Sequence, residues 1–283
     1  MNYHFLTNED LPELTKIFNL AFSDYSLDVN FSDKQLEIFF QERQVDLKRS
    51  LGVTANGEMI GFTFNGFGLW NNLETVYDAC TGVVPDFRRQ GIAENMFEFM
   101  IPQFQKQEIK QYLLEVITEN EKALKLYDKL GFERTRKVSF LKAEKIFKGN
   151  LQLPKNLKIS QVKEPDWNRL RLFGDGKPTW QTTIAAIEAT KFEKVFLGAF
   201  WDDKCIGHVA FSKSRPVIAQ FAVDKKHRQK GVGLALLTEM QRIIGEKKVN
   251  IVNLDIEMEE TLTFFQNRGF REVVSQFEMI KKL

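Results

Sequence analysis

Residues 83–97 read "VVPDFRRQGIAENMF". An apolar, strand-like run stops at a proline. Basic residues broken by a glycine follow, and then a segment that can form a helix. Residues 221–237, "FAVDKKHRQKGVGLALL", repeat the arrangement, with Arg228, Gly231 and Gly233 standing for Arg88, Gly91 and Ala93. Where a loop of this composition enters a helix, several N–H groups lack internal partners and the helix dipole is positive. A glycine lets those groups approach a phosphate closely. Small residues at Gly91 and Ala93 leave room there, and Arg88 and Arg89 add charge. The bland reading of each copy alone is a solvated basic loop. The run at residues 225–230 also reads as a nucleic-acid patch, but its place between an apolar strand and an apolar helix argues against that.

The repetition extends outward on both sides. In the first half, "TNEDLPELTKIF" can be capped at Thr7 or Asn8, with Leu11, Leu14, Ile17 and Phe18 on one helical face. In the second half "KEPDWNRLRLF" carries Trp167, Leu170 and Phe173 in similar places. A hairpin follows in each half, turning at Asn56-Gly57 and at Asp202-Asp203. After the basic loop come a long helix, which Pro102 kinks or ends in the first copy, a strand ("YLLEVIT", "IVNLDIE") and a closing helix ending at "LGFE" or "RGFRE". The polar stretch around "GNLQLPKNLK" reads as a linker. The expected domains are 1–147, a linker at 148–158, and 159–283, in an α/β fold of the α+β mixed-sheet kind.

Bulk properties suit this organisation. The chain has 283 residues, net charge +2, 26 Phe and two Cys. Near-neutral charge with both signs interspersed argues against a nucleic-acid partner. Cys80 and Cys205 form no paired motif, which favours a reducing compartment. No signal pattern opens the sequence and no apolar run is long enough for a bilayer, so a cytoplasmic, membrane-free protein is expected. His4, His208 and His227 have no metal-ligand spacing, and no metal is expected.

At residues 83–97 and 114–133 the sequence resembles the GNAT superfamily of acetyl-CoA-dependent N-acetyltransferases. The first stretch matches the family's Arg/Gln-x-x-Gly-x-Gly/Ala loop after a Val-x-Pro strand end. The second, "LEVITENEKALKLYDKLGFE", matches its Asn-x-x-Ala-x-x-x-Tyr-x-x-x-Gly-Phe helix through Asn120, Ala123, Tyr127, Gly131 and Phe132. The resemblance covers most of the first half, and reaches the second through Arg228, Gly231, Gly233, Gly269 and Phe270. It implies a sheet whose fourth and fifth strands splay apart around the pantetheine arm of acetyl-CoA. It implies cofactor contacts from Val83 and Val84, from the loop Arg88, Arg89, Gln90, Gly91, Ile92 and Ala93, from Asn120, and in the second half from Arg228, Gly231 and Gly233. It places the general acid at Tyr127 and the general base on Asp78 or Glu115.

Amide formation from a thioester needs an amine that loses its proton, a donor for the carbonyl oxygen, and an acid for the leaving thiolate. A phenol is protonated at pH 7 and suits the last task. Tyr127 could instead simply pack against Leu124 and Leu130. Cys80, on Asp78's face in a regular strand, reads as a small buried residue, because no histidine pairs with it.

In the second half, aligning Gly269 with Gly131 puts Phe265 at the Tyr127 position and Met258 at the Asn120 position. No tyrosine lies beyond the linker, and the strand "RPVIAQFAV" has no carboxylate. The expectation is therefore an N-acetyltransferase acting on a primary amine through its first domain, with a degenerate second domain. A non-catalytic acyl-CoA-binding module, or an enzyme active through its second domain, is the alternative. Residues 8–40 are expected to line the acceptor site for a small-molecule or peptide amine. Asp24, Asp28 and Asp33 hint at a cationic acceptor, and Phe22, Tyr25 and Phe31 serve either the site or the core. A monomeric pseudo-dimer or a homodimer fits equally.

Overall fold

The computed structural model describes residues 1–24, 30–146 and 154–283; Tyr25, Asp28 and residues 148–153 of the expected linker lie outside them. The first repeat runs β1 (Asn2–Phe5), α1 (Leu11–Ala21), α2 (Asp33–Arg43), β2 (Leu51–Ala55), β3 (Glu58–Trp70), β4 (Leu73–Val83), α3 (Ile92–Lys106), β5 (Gln111–Ile117), α4 (Glu121–Lys129) and β6 (Glu133–Ala143). The second runs β7 (Leu157–Gln161), α5 (Trp167–Leu170), α6 (Ile184–Ala189), β8 (Lys194–Trp201), β9 (Lys204–Ser212), β10 (Val217–Val223), α7 (Val232–Ile244), β11 (Val249–Asp255), α8 (Glu259–Gln266) and β12 (Arg271–Lys282).

Two compact units result: Met1–Arg136 with Phe277–Leu283, and Lys137–Gln276. The sequence expectation kept residues 277–283 with the second domain and set the division at the linker. The difference has a plain cause. Neither β6 nor β12 contains a glycine or proline to mark where one sheet's share of the strand ends. In the first unit the strand order is β1-β2-β3-β4-β5, then residues 277–282 of β12, then residues 133–136 of β6. In the second it is β7-β8-β9-β10-β11, then residues 137–143 of β6, then residues 271–276 of β12. Each sheet is mixed: β3 pairs antiparallel with β4 and β4 parallel with β5, as β9 does with β10 and β10 with β11.

Local chemistry sets the elements. Asn56 and Gly57 (φ 54° and 83°) and Asp202 and Asp203 (φ 47° and 61°) are all left-handed, as two-residue hairpin turns require. Ser32 and Gln35 form a reciprocal cap on α2. The α1 cap differs from expectation. The helix begins after Asp10, whose carboxylate bonds back to the Thr7 N–H at 2.7 Å. Leu14, Ile17 and Phe18 are buried as expected, while Leu11 is 44% exposed. Pro102 lies on the exposed face of α3 without ending it, because Met96, Phe97, Met100 and Phe104 anchor the helix on both sides. The first helix of the second repeat is only one turn, since "FGDGKP" at residues 173–178 cannot continue it.

Phenylalanines dominate the first core. Phe62 and Phe64 stack at 4.3 Å, and Phe18 lies over both at 6.1 and 6.5 Å. Each fully buried ring contributes about 1.5–3 kcal/mol. Gly66 lets α2 pass over β3, because a Cβ there would lie 2.0 Å from the Arg43 carbonyl oxygen.

Candidate active site

Both sheets open into a fork at the expected place. The parallel pairing of β4 with β5 runs from Thr75↔Gln111 to Asp78↔Leu114 and ends there. That of β10 with β11 covers Val217↔Asn250 and Ile218↔Ile251 only. At each fork a bulge interrupts the strand: Ala79 has no partner between Asp78 and Cys80, and Ala219 none between Ile218 and Gln220.

The bulge decides which face each side chain takes. Asp78 pairs with Asn65 and Cys80 with Phe64, so Asp78 and Cys80 lie on opposite faces rather than together. Asn65 faces α3, where it meets the Met100 sulfur and accepts from the Tyr112 hydroxyl at 2.5 Å. Asp78 shares that face. Its carboxylate accepts from Thr81 at 2.9 Å and from the Tyr127 hydroxyl at 3.4 Å. Burial pushes the Asp78 carboxyl up to about 7, although the hydrogen bonds from Thr81 and Tyr127 oppose the rise. Tyr127, on α4, packs edge-on to Phe97 at 5.8 Å and against Phe132 at 5.6 Å.

Tyr77 points the other way, toward the end of α2, and donates to Glu115 Oε2 at 2.5 Å. Glu115 is the first residue of β5 past the last pair of the fork. Burial raises its carboxyl to about 7; Tyr77 opposes this, Glu278 reinforces it, and Arg43 and Arg136 oppose it. Glu115 Oε1 is buried without a hydrogen-bond partner. Arg136 and Glu278 make an almost buried ion pair of 2.7 Å beside it. The mouth of the fork thus carries a phenol on one face and a carboxyl on the other.

The loop after β4 rises through one 3-10 turn, Pro85–Phe87. Arg89 (φ 64°) and Gly91 (φ 75°) are left-handed, and Gly91 caps α3. Arg89, Gln90 and Gly91 are exposed, whereas Ile92 is buried. The Val84 N–H binds the Ile60 carbonyl of β3 at 3.0 Å. Strand alternation therefore turns the Val83 amide toward the open fork. Asn120 caps α4, its side chain accepting from the Ala123 N–H at 3.2 Å. Arg88 does not face outward. It donates to the Val83 and Ala21 carbonyls at 3.0 and 2.7 Å and grips Asp24 at 2.6 and 2.8 Å. Asp24 is thereby engaged with Arg88, and Asp33 sits in the first turn of α2.

Residues 11–132 match the Acetyltransferase (GNAT) family, and residues 175–280 match the Acetyltransferase (GNAT) domain. The chain belongs to the GNAT family. The ribosomal protein bS18-alanine N-acetyltransferase of Escherichia coli K12 is 32% identical over 84 residues, 28% of this GNAT chain and 51% of that protein. The match thus spans about half the length of that relative. A tandem GNAT protein from the clavulanic acid biosynthesis pathway superposes with a TM-score of 0.75 at 14% identity, over 99% of this chain and 98% of the other. A GCN5-related N-acetyltransferase from Sphaerobacter thermophilus gives 0.74 at 15% identity, over 99% and 95%. These two likenesses speak for the fold.

The family uses acetyl-CoA, and each GNAT unit has an open fork, a glycine at the start of a long helix and a loop with exposed residues. In the second unit a cavity of about 330 Å³ lies over Val223, Gln229, Gly231 and Gly233. Gln229 (φ 60°) and Gly231 (φ 82°) repeat the left-handed pair of the first loop. The reactive positions do not repeat. Ile218 follows the place of Asp78 and Phe265 that of Tyr127, and the first residue of β11 past the last pair of its fork, the place of Glu115, is Val252. Phe265 is 1% exposed and packs against Phe221 at 5.0 Å. Gly233 has a packing reason beyond any ligand, since a Cβ there would meet Phe221 and Phe264 at 3.1 Å. Sequence reasoning missed Tyr77 and the tie between Asp24 and Arg88. Tyr77 and Asp24 belong to no motif, and only the fold brings Tyr77 to Glu115 and Asp24 to Arg88.

Proposed function

We propose that the first unit transfers the acetyl group of acetyl-CoA to a primary amine, and that the second holds a CoA ester without turning it over. Acetyl-CoA supplies an activated acetyl thioester. The amides of residues 89–93 and the positive end of α3 hold its diphosphate, with Val83 toward the carbonyl. Tyr127 gives a proton to the departing thiolate. Glu115 takes the proton that the acceptor amine must lose. Asp78 accepts from the Tyr127 hydroxyl and holds it in place.

The observation that carries this reading is the placement of Tyr127 and Glu115 on opposite faces of one fork. An amine arriving on the α2 side meets a carboxyl whose free oxygen lacks a partner, while the phenol waits on the α3 side. One observation favours a second reading, with Asp78 as the base: its carboxyl is also raised to about 7 and touches Tyr127. The bS18-alanine relative makes a peptide N-terminal amine the first acceptor class to test, beside small primary amines. Cys80 and Cys205 are free thiols, which suits a reducing compartment such as the cytoplasm.

The test is thiol release from acetyl-CoA over an amine panel, with the full chain. Tyr127→Phe should lower kcat about 10²–10⁴-fold while leaving the Kd for CoA within a few-fold. Undiminished turnover would move the activity to the second unit. Glu115→Gln should abolish the rise of rate through pH 7; if Asp78→Asn does so instead, the second reading stands.

A further inference from the structure

Arg88 opens the loop motif, and its charge makes a phosphate contact the obvious assignment. Its surroundings point elsewhere. A guanidinium has five N–H donors in a fixed fork. In Arg88 the Nε donates to Val83 O at 3.0 Å, one Nη to Asp24 at 2.6 Å, and the other to both Ala21 O (2.7 Å) and Asp24 (2.8 Å). The hydrogen bond from Arg88, aided by its charge, holds the Asp24 carboxyl below its usual range, with burial opposing.

The second unit provides an independent copy. Arg228 Nε donates to Val223 O at 3.1 Å, its Nη2 to Phe173 O at 3.1 Å, and its Nη1 lies 2.6 Å from Asp175 and 3.2 Å from Glu260. Burial raises the Asp175 carboxyl, but Arg228 and Lys225 outweigh it and the net shift is downward. The first helices of the two units differ strongly, α1 having 11 residues and α5 only 4. Yet the last residue of α1, Ala21, and Phe173, three residues past α5, each offer a carbonyl to the corresponding guanidinium, with an aspartate just beyond.

We propose that Arg88 and Arg228 are clasps and not phosphate ligands. Each ties the strand end before the cofactor loop to the end of the first helix or the segment just after it, and so holds the loop's amides at the mouth of the fork. Turning either guanidinium outward to a phosphate would strip two carbonyls and a carboxylate of their donor, a loss comparable to the strength of a new phosphate hydrogen bond. Cofactor binding then rests on the main-chain amides of the loop, with Arg88 acting as a positioning residue through Asp24. In the first unit the clasp joins the cofactor loop to the segment expected to line the acceptor site. This inference rests on the proposed cofactor site only for its consequence; the clasp itself is testable without any ligand.

The experiment uses the full chain and two readouts, hydrogen exchange of the amides at residues 86–93 in the free protein and calorimetric titration with CoA. For a clasp, Arg88→Gln and Asp24→Asn each speed loop exchange and each weaken CoA about three- to tenfold. The double variant is then no worse than Arg88→Gln alone. For a phosphate ligand the two variants part. Arg88→Gln weakens CoA, Asp24→Asn leaves it unchanged or tightens it by releasing the guanidinium, and free-state exchange does not move. That pattern overturns the proposal. Arg88→Lys keeps the charge but not the fork, so it should behave as Arg88→Gln; full retention of CoA affinity in the lysine variant also overturns it. If the parent chain binds no CoA, the cofactor reading fails, and the exchange data alone still decide the clasp.

Discussion

At the scale of the residue, the two raised carboxyls have a consequence for stability. Asp78 moves from 3.8 to about 7 and Glu115 from 4.5 to about 7, both chiefly through burial. A carboxyl whose folded pKa lies above its unfolded value favours the fold fully below the unfolded value. That contribution is lost as pH rises through the folded value. The first unit should therefore lose stability between about pH 4 and pH 7, by roughly 1.4 kcal/mol per pH unit for each group. Asp78→Asn should flatten part of this slope in urea titrations at pH 4.5, 6 and 7.5. An unchanged slope means the carboxyl does not titrate there. The strands and the helix that carry Asp78, Glu115 and Tyr127 were legible in the sequence because each has a recognisable pattern. Their faces were not. A single bulged residue, Ala79, reverses the alternation, and no sequence signal marks it.

At the scale of the element, the hairpins were fully legible because Asn-Gly and Asp-Asp suit left-handed turns. The close passage of α2 over β3 was not, since Gly66 looks like any strand glycine until Arg43 lies against it. Gly66→Ala forces backbone apart and should cost at least about 1–3 kcal/mol. Gly57→Ala, with nothing within 4 Å and only a left-handed φ of 83°, should cost about 1–2 kcal/mol. Urea unfolding of both variants checks the order. The one-turn α5 follows the same logic: "RLRLF" at residues 169–173 has helical spacing, but the glycines and proline after it stop growth within a few residues.

At the scale of the whole molecule, the repeat, the two forks and the two loops could be read from spaced motifs. The assignment of the chain's end could not. Met279 is fully buried in the first unit's core, Glu278 pairs with Arg136, and the Leu283 N–H binds the Lys110 carbonyl at 3.0 Å. Removing residues 277–283 should therefore abolish Tyr127-dependent turnover and expose the first core to dye binding. Residues 137–276 keep their own core, so thermolysin should digest the first unit of this truncation before the second. Simultaneous digestion of both would mean that the two share one cooperative transition.

The return of residues 277–283 to the first sheet also orders events during synthesis. The amino-terminal half leaves the ribosome with its Phe-rich core formed by helices and five strands, but with the β5 edge bare. It waits while the whole intervening unit is made, on the order of ten seconds at ordinary rates of synthesis. Through that interval the edge beside Glu115 is an open template for stray strands. A ribosome stalled before residue 277 would hold an unfinished first unit, so on the proposed assignment Tyr127-dependent turnover would report that the message was read nearly to residue 283.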